Sequence, residues 1–513
     1  MNRLRTSARA AVVVAVLILA AACGGGGGSS SSSSEKLVVG SLLSPSSLDP
    51  TQVTGGSDHF FLRMVYDRLL ETDPESGEVV AGLATEWGYS EDKMSFDMTL
   101  REGVEFSDGT PVDAEAVKAN LERNFELTKL GQITSVESVE VVSPTEVSLK
   151  MKDESAWIAE QLASNSGFMV SPKAFEANDD VSGAPVGSGP YVIKSNVPGS
   201  QITYEKNPDY WNDDRGFYET IDLKFFKNAV SMNQALQSGS IQVGARTALT
   251  DVDTLKKDDN LEVEVHPSLA HYHVQFNTVK PAMEDPRVRR AFNFALDREA
   301  LAEPATDGLG EATQSLFPPA FEYSTDALQS AFDHDPDQAR DLLADAGQED
   351  LELECVTYTG SGYETSAPYI IEQLEEVGIT VNLEVTELSE AMGAFYSGDD
   401  TAKAAKGPDC YFTSWPGQPS VRDTINAEYG KTIYNNGHYE TVDFGLLEEL
   451  ETAYELEDRK ALVEEIELES YEDPVMANMY TKPKAFTHAK SVTGHEPNLL
   501  EFDIDMAALR PAE

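Results

Sequence analysis

Positive charge is scarce in this chain. Against 89 aspartates and glutamates stand 38 lysines and arginines, a net charge of −51 over 513 residues. That much self-repulsion favours solubility and argues against nucleic acid as a partner, because little basic surface is left to gather phosphates. Cysteine is scarcer still, with three in the chain, too few to replace a hydrophobic core with a disulfide framework. After residue 22 no run is apolar enough to span a bilayer. Catalytic signatures are missing too: there is no H-E-x-x-H, no G-x-S-x-G and no C-x-x-C. The acid pairs are too many to single out a working dyad, so no enzyme activity and no cofactor are expected. What is present is ordinary for a folded protein, with 41% hydrophobic and 9% aromatic residues.

The long apolar run, Ala10 to Ala22, follows Arg3, Arg5 and Arg9 and ends at Cys23. As a helix it rises only about 20 Å, short of the roughly 30 Å of a bilayer core. Charged start, short apolar centre and small residues before a cut site read as a signal peptide over residues 1–22. Small residues directly before a cysteine resemble a bacterial lipobox, with Ala20 standing where leucine is usual. Cys23 is therefore the expected lipidation site, and simple secretion is the alternative. The tract from Gly24 to Ser34, GGGGGSSSSSS, is a flexible tether with a reach on the order of 20 Å. The expected location is extracytoplasmic, held to the cell membrane by the lipid on Cys23. The other cysteines, Cys355 and Cys410, lie in strand-like runs; a disulfide and two buried thiols both fit that pattern.

Beyond the tether, strand and helix patterns alternate, which points to an α/β architecture. KLVVGSLL reads as a buried strand. In DAEAVKANLERNF, Ala114, Val117, Leu121 and Phe125 fall at helical spacing behind Asp113 as cap. Asp285-Pro286 and Asp335-Pro336 each start a helix with a capping acid and a proline in the first turn, where its missing N–H costs nothing. Gly347 suits a left-handed stop. Residues 353–415 read as strand, helix, strand, strand. The acidic stretch 455–470 reads as an amphipathic helix with a solvated face.

Four blocks in order carry a family likeness. MSFDMTLREGVEFSDGTPVDAEAVKANLER (94–123) is followed by PVGSGPYVI with KNPDYW (185–211). FNTVKPAMEDPRVRRAFNFALDREAL (276–301) comes next, then DPDQARDLLADAG with EEVGITV (335–381). Together they resemble the solute-binding proteins of ABC importers in the peptide/nickel-binding family, family 5, over nearly the whole mature chain. The resemblance implies a two-lobed periplasmic-binding-protein-like fold (type II, cluster C-like) with an extra subdomain in the first lobe. It places the first lobe at residues 35–269 and 483–513, the subdomain near 56–180 and the second lobe at 270–482. It also implies capture of a small solute between the lobes and its delivery to ABC permease subunits, by a protein expected to be a monomer. A ligand-sensing lipoprotein without a transport role, or a secreted α/β hydrolase, are the alternatives.

In peptide-binding relatives an aromatic followed three residues later by Asp lines the cleft, and that Asp pairs with the peptide's α-ammonium. Here TSWPGQPS supplies Trp415, but the third residue on is Gln418. Gln accepts a hydrogen bond without carrying charge, so a buried ammonium would lack its anion. Asp409 and Asp423 are out of register. The expected ligand is one without a free α-ammonium: a blocked or modified peptide, a glycoside or a metal chelate. Trp415 and Gln418 lead the candidate ligand contacts, with Ser414, Arg422, His273 and Ser44 behind them. His271, His273 and Gln275 share one face of a strand. The two histidines lack a third ligand nearby in sequence, so no metal site is expected there.

Overall fold

A computed structural model describes residues 36–512, apart from 54–55, 75–76, 128–132, 360–361, 416, 418–419 and 496–503. The signal segment, Cys23, the tether and Gln418 lie outside the described residues. Among the described residues no helix is long and apolar enough to cross a membrane.

Two sheets organise the chain into two lobes. The first has seven strands in the order Leu261–His266, Lys484–Ala489, Val243–Thr247, Lys36–Ser41, Thr220–Phe225, Gln201–Lys206, Tyr191–Val197. Lys36–Ser41 is central and parallel to both neighbours. A strand buried on both faces must be apolar nearly throughout, which is why KLVVGS reads as a continuous run. The second sheet has five strands in the order Ile379–Thr386, Leu351–Tyr358, Cys410–Trp415, His271–Phe276, Met476–Thr481. A separate four-stranded sheet, built from Ala84–Tyr89, Ser95–Leu100, Glu146–Met151 and Val136–Ser143, carries the helix Ala114–Leu127 on its face. Asp113 caps that helix by accepting the Ala116 N–H at 2.9 Å.

The chain passes between the two large sheets at two places, after His266 and after Thr481. These passages lie side by side and are stitched together. The Lys482 N–H donates to the Ala270 carbonyl at 2.7 Å, and the Ser268 hydroxyl donates to the Lys482 carbonyl at 2.7 Å.

Local expectations meet local structure at the helix starts. Pro286–Phe294 begins with Asp285 accepting the Arg287 N–H, and Pro336–Ala346 with Asp335 accepting the Gln338 N–H. The latter stops at Gly347 in the left-handed region, φ 69°. Residues 353–415 hold more than the pattern showed. Two short helices, Leu388–Phe395 and Thr401–Ala404, separate the last two strands. Cys355 and Cys410 face each other on parallel neighbours, with Cα atoms 4.6 Å apart, and form a disulfide.

The acidic helix Leu456–Glu472 is not solvated throughout its charged residues. Glu467 is fully buried and accepts from the Ser315 hydroxyl at 2.8 Å and the Leu316 N–H at 2.9 Å. Burial pushes its carboxyl up to about 7, against those hydrogen bonds. The tertiary partner comes from a distant loop, so local periodicity had no means of marking this glutamate.

Candidate functional site

Trp415 ends the strand Cys410–Trp415 at the passage between the lobes. Its ring is 6% exposed and meets Tyr434 edge-on, with ring centres 5.6 Å apart. Gly417 follows with φ 83°, and a Cβ there would come within 2.7 Å of the Leu269 Cβ. Glycine is thus required for the loop to lie against the first crossing segment.

A cavity of about 220 Å³ opens beside Trp415. The second-lobe sheet contributes Ser414 and Trp415, and the two crossings contribute Ser268, Ala270 and Lys482. Neighbouring strands of the first-lobe sheet contribute Ala245, Arg246, Thr247, Lys484 and Ala485. Its described lining holds three cations, Arg246, Lys482 and Lys484, and no carboxylate. The Lys482 ammonium lies 5.2 Å from the centre of the Tyr272 ring. Burial, and then the neighbouring Arg246 charge, hold its pKa below the usual lysine value. Burial and a neighbouring like charge both disfavour the charged form of an ammonium.

Behind Trp415 runs a buried polar row. His271, His273 and Gln275 alternate on one face of His271–Phe276 and are 1%, 1% and 3% exposed. Trp415 sits directly opposite His271 in the ladder. The Trp415 Nε1, His271 Nε2, both His273 ring nitrogens and the Gln275 Oε1 have no hydrogen-bond partner among the described residues. Burial pushes His271 down to about 4, against its contact with the Leu269 carbonyl, and pushes His273 well below the usual range. Both rings are therefore neutral. Glu428, on the helix Val421–Tyr429, closes the row. Gln275 donates to it at 3.4 Å and to the Tyr434 carbonyl at 3.0 Å. Burial raises the Glu428 carboxyl to about 8.

The structure brings together only part of the residues singled out from sequence. Ser414 and Trp415 line the cavity, and His273 lies in the row behind it. Ser44 is exposed and stands outside the lining. Arg422 turns to other partners, donating to both Glu451 carboxylate oxygens at 2.6 and 2.8 Å and to Asp423 at 2.8 Å. Sequence reading passed over Arg246, Lys482 and Lys484. The available signal was Lys482-Pro483-Lys484, two cations flanking a proline in a crossing segment of an acid-rich chain.

A second, larger cavity of about 460 Å³ lies between the four-stranded sheet and the second lobe. Aromatic rings line it, among them Trp87, Tyr89, Trp157 and Tyr454. The Trp157 Nε1–H donates to the Leu450 carbonyl at 2.9 Å, and Arg459 donates to Glu160 at 2.6 Å.

Comparison with known proteins adds a family match, one relative and two solved structures. A family model described as bacterial extracellular solute-binding proteins, family 5, matches residues 78–435. The glutathione-binding protein GsiB of Salmonella paratyphi A is 24% identical over 465 residues, covering 88% of this chain and 89% of that protein. Among solved structures, the substrate-binding protein CtaP of Listeria monocytogenes superposes with a TM-score of 0.82 at 20% identity, over 93% of this chain and 99% of its own. The binding protein AgaA from A. tumefaciens R10, in complex with agropinic acid, gives 0.76 at 22% identity, over 93% and 99%.

Proposed function

The chain belongs to the bacterial extracellular solute-binding proteins of family 5, and we propose that the solute it binds is small, anionic and without a free α-ammonium. The family binds peptides or small ligands outside the cytoplasm and works with ABC permeases; its role is substrate binding for import. In this chain the work is capture between two lobes, a shift from open to closed that ligand stabilises.

The observation that carries the ligand class is the lining of the Trp415 cavity. It joins Arg246, Lys482 and Lys484 from the first lobe and the crossings to Ser414 and Trp415 from the second. A carboxylate or similar anion placed there meets this cationic lining and bridges the two lobes, so closure and binding become one event. The indole Nε1–H of Trp415 and the row behind it offer polar contacts to the rest of the solute. An ammonium would instead meet three cations, which reinforces the meaning of an uncharged Gln418 in the same loop. Cys23 as lipid anchor, a monomeric state and hand-over to permease subunits complete the reading, on the strength of the leader pattern and the family's mode of action.

Denaturing mass spectrometry of protein purified gently from its native host identifies what stays in the cleft. The expected species is anionic and amino-blocked or non-peptide. A free-amino peptide, held by a carboxylate elsewhere in the cleft, would overturn the proposal.

A further inference from the structure

Three of the chain's eight histidines meet at one glutamate, away from the interlobe cavity. Leu261–His266 is an edge strand of the seven-stranded sheet and pairs antiparallel with Lys484–Ala489. In that ladder Glu264 stands opposite Phe486, with His266 and His488 two residues along on either strand, so alternation sends all four to one face. The Glu264 carboxylate is engaged at both ends. Its Oε2 lies 2.9 Å from His266 Nε2, and its Oε1 lies 3.0 Å from His488 Nε2. His495 arrives from the segment after Val492–Thr493 and places its ring 3.9 Å from that of Phe486, centre to centre. Its Nδ1 is buried and has no hydrogen-bond partner among the described residues.

We infer that Glu264, His266 and His495 form a binding site for a divalent transition-metal cation, zinc being the closest chemical match. Each offers a ligand atom, and the three atoms lie within 4.8 Å of one another. Small side-chain rotations bring such a set to zinc, which takes imidazole nitrogen and carboxylate oxygen at about 2.0–2.2 Å in a tetrahedron. Two imidazoles with a carboxylate favour zinc over calcium or magnesium, which prefer all-oxygen shells. His488 holds the second oxygen of Glu264, the outer-shell contact that orients a ligating carboxylate. The stacked Phe486 ring, 22° from the plane of His266 and 19° from that of His488, keeps both imidazoles upright on the sheet. A metal there clips the C-terminal segment onto an edge strand, covering backbone that would otherwise be open to pairing.

The test uses the full mature chain, stripped with chelator and dialysed against micromolar zinc, with bound metal measured by plasma mass spectrometry. The expected result is a zinc ion per chain that His266→Ala and His495→Ala lose, while His334→Ala, at an exposed residue near Asp297, retains it. His488→Gln weakens binding by about 10–100-fold. A second reading needs no variant: zinc should protect His266 and His495 of the unaltered chain from diethyl pyrocarbonate. No retained zinc, equal retention by the His266 and His495 variants, or labelling indifferent to zinc would each overturn the site.

Discussion

Two of the cavities between the lobes differ both in the residues that line them, one aromatic and one cationic, and in how charge is settled. In the larger one, Arg459 donates to Glu160 and lies 4.1 Å from the Trp157 ring centre, while Lys93 sits 4.3 Å from that of Tyr454. Glu78 and Glu322 add further acid to the lining. In the smaller one, three cations share a lining without a described carboxylate. A contact whose lining carries both signs of charge holds lobes together by packing, whereas a lining rich in cations suits the anionic solute proposed above. On the proposed reading the larger cavity is a latch and the smaller one the binding site, a distinction that rests on charge and not on cavity size.

Substitutions break this comparison from either side. The largest expected effect is at the latch. Trp157→Ala should cost about 3–5 kcal/mol of stability, measured by denaturant unfolding, while ligand identity by mass spectrometry stays the same. A change of bound ligand in that variant would mean the larger cavity is a binding site. Next comes Lys482→Met, which keeps the stem and removes the charge. It should weaken binding of the co-purified solute by about 2–5 kcal/mol, read by calorimetry, with little change in melting temperature.

A pH test sharpens the contrast between the cation-lined cavity and the neutral row behind it. Glu428 has its carboxyl raised from 4.5 to about 8 by burial. Between those values the unfolded chain releases its proton while the folded chain keeps it. Stability from this group is therefore full below 4.5 and falls as pH rises through that window. Glu467, raised to about 7, adds a slope of the same sign. Glu428→Gln should flatten the upper part of the stability profile, leaving a residual slope that ends near the Glu467 value. An unchanged profile would show that Glu428 ionises freely. The smallest effect is expected of Arg459→Lys, which keeps the charge but not the planar fork on Trp157 and Glu160; about 1 kcal/mol of stability is the expected loss.

Some of this was legible before any fold was known. Asp285 and Asp335 each precede a proline, and a capping acid with a first-turn proline marks a helix start through backbone chemistry alone. Trp415 stood out because a large aromatic in a Pro/Gly loop has few local uses. Arg422 stood close to it in sequence, yet one helix turn carries its guanidinium to Glu451. The helices Leu388–Phe395 and Thr401–Ala404 were missed because they are short: Leu388, Ala391, Met392 and Phe395 do fall at helical spacing, but over only two turns, and Thr401–Ala404 is a single turn.

By itself, the sequence determined the α/β class and the helix caps, through residue periodicity and turn chemistry, and the family with its two-lobed fold, through blocks contiguous along the chain that resemble the family's. Only the tertiary structure decided which charges face one another. Arg246 and Lys482 reach one cavity from strands and crossings far apart in the chain, and Glu264 gathers His266, His488 and His495 from three separate segments. Charge–charge energy depends on distance through space and on the water removed between the groups, and neither is written in the spacing of residues along the chain.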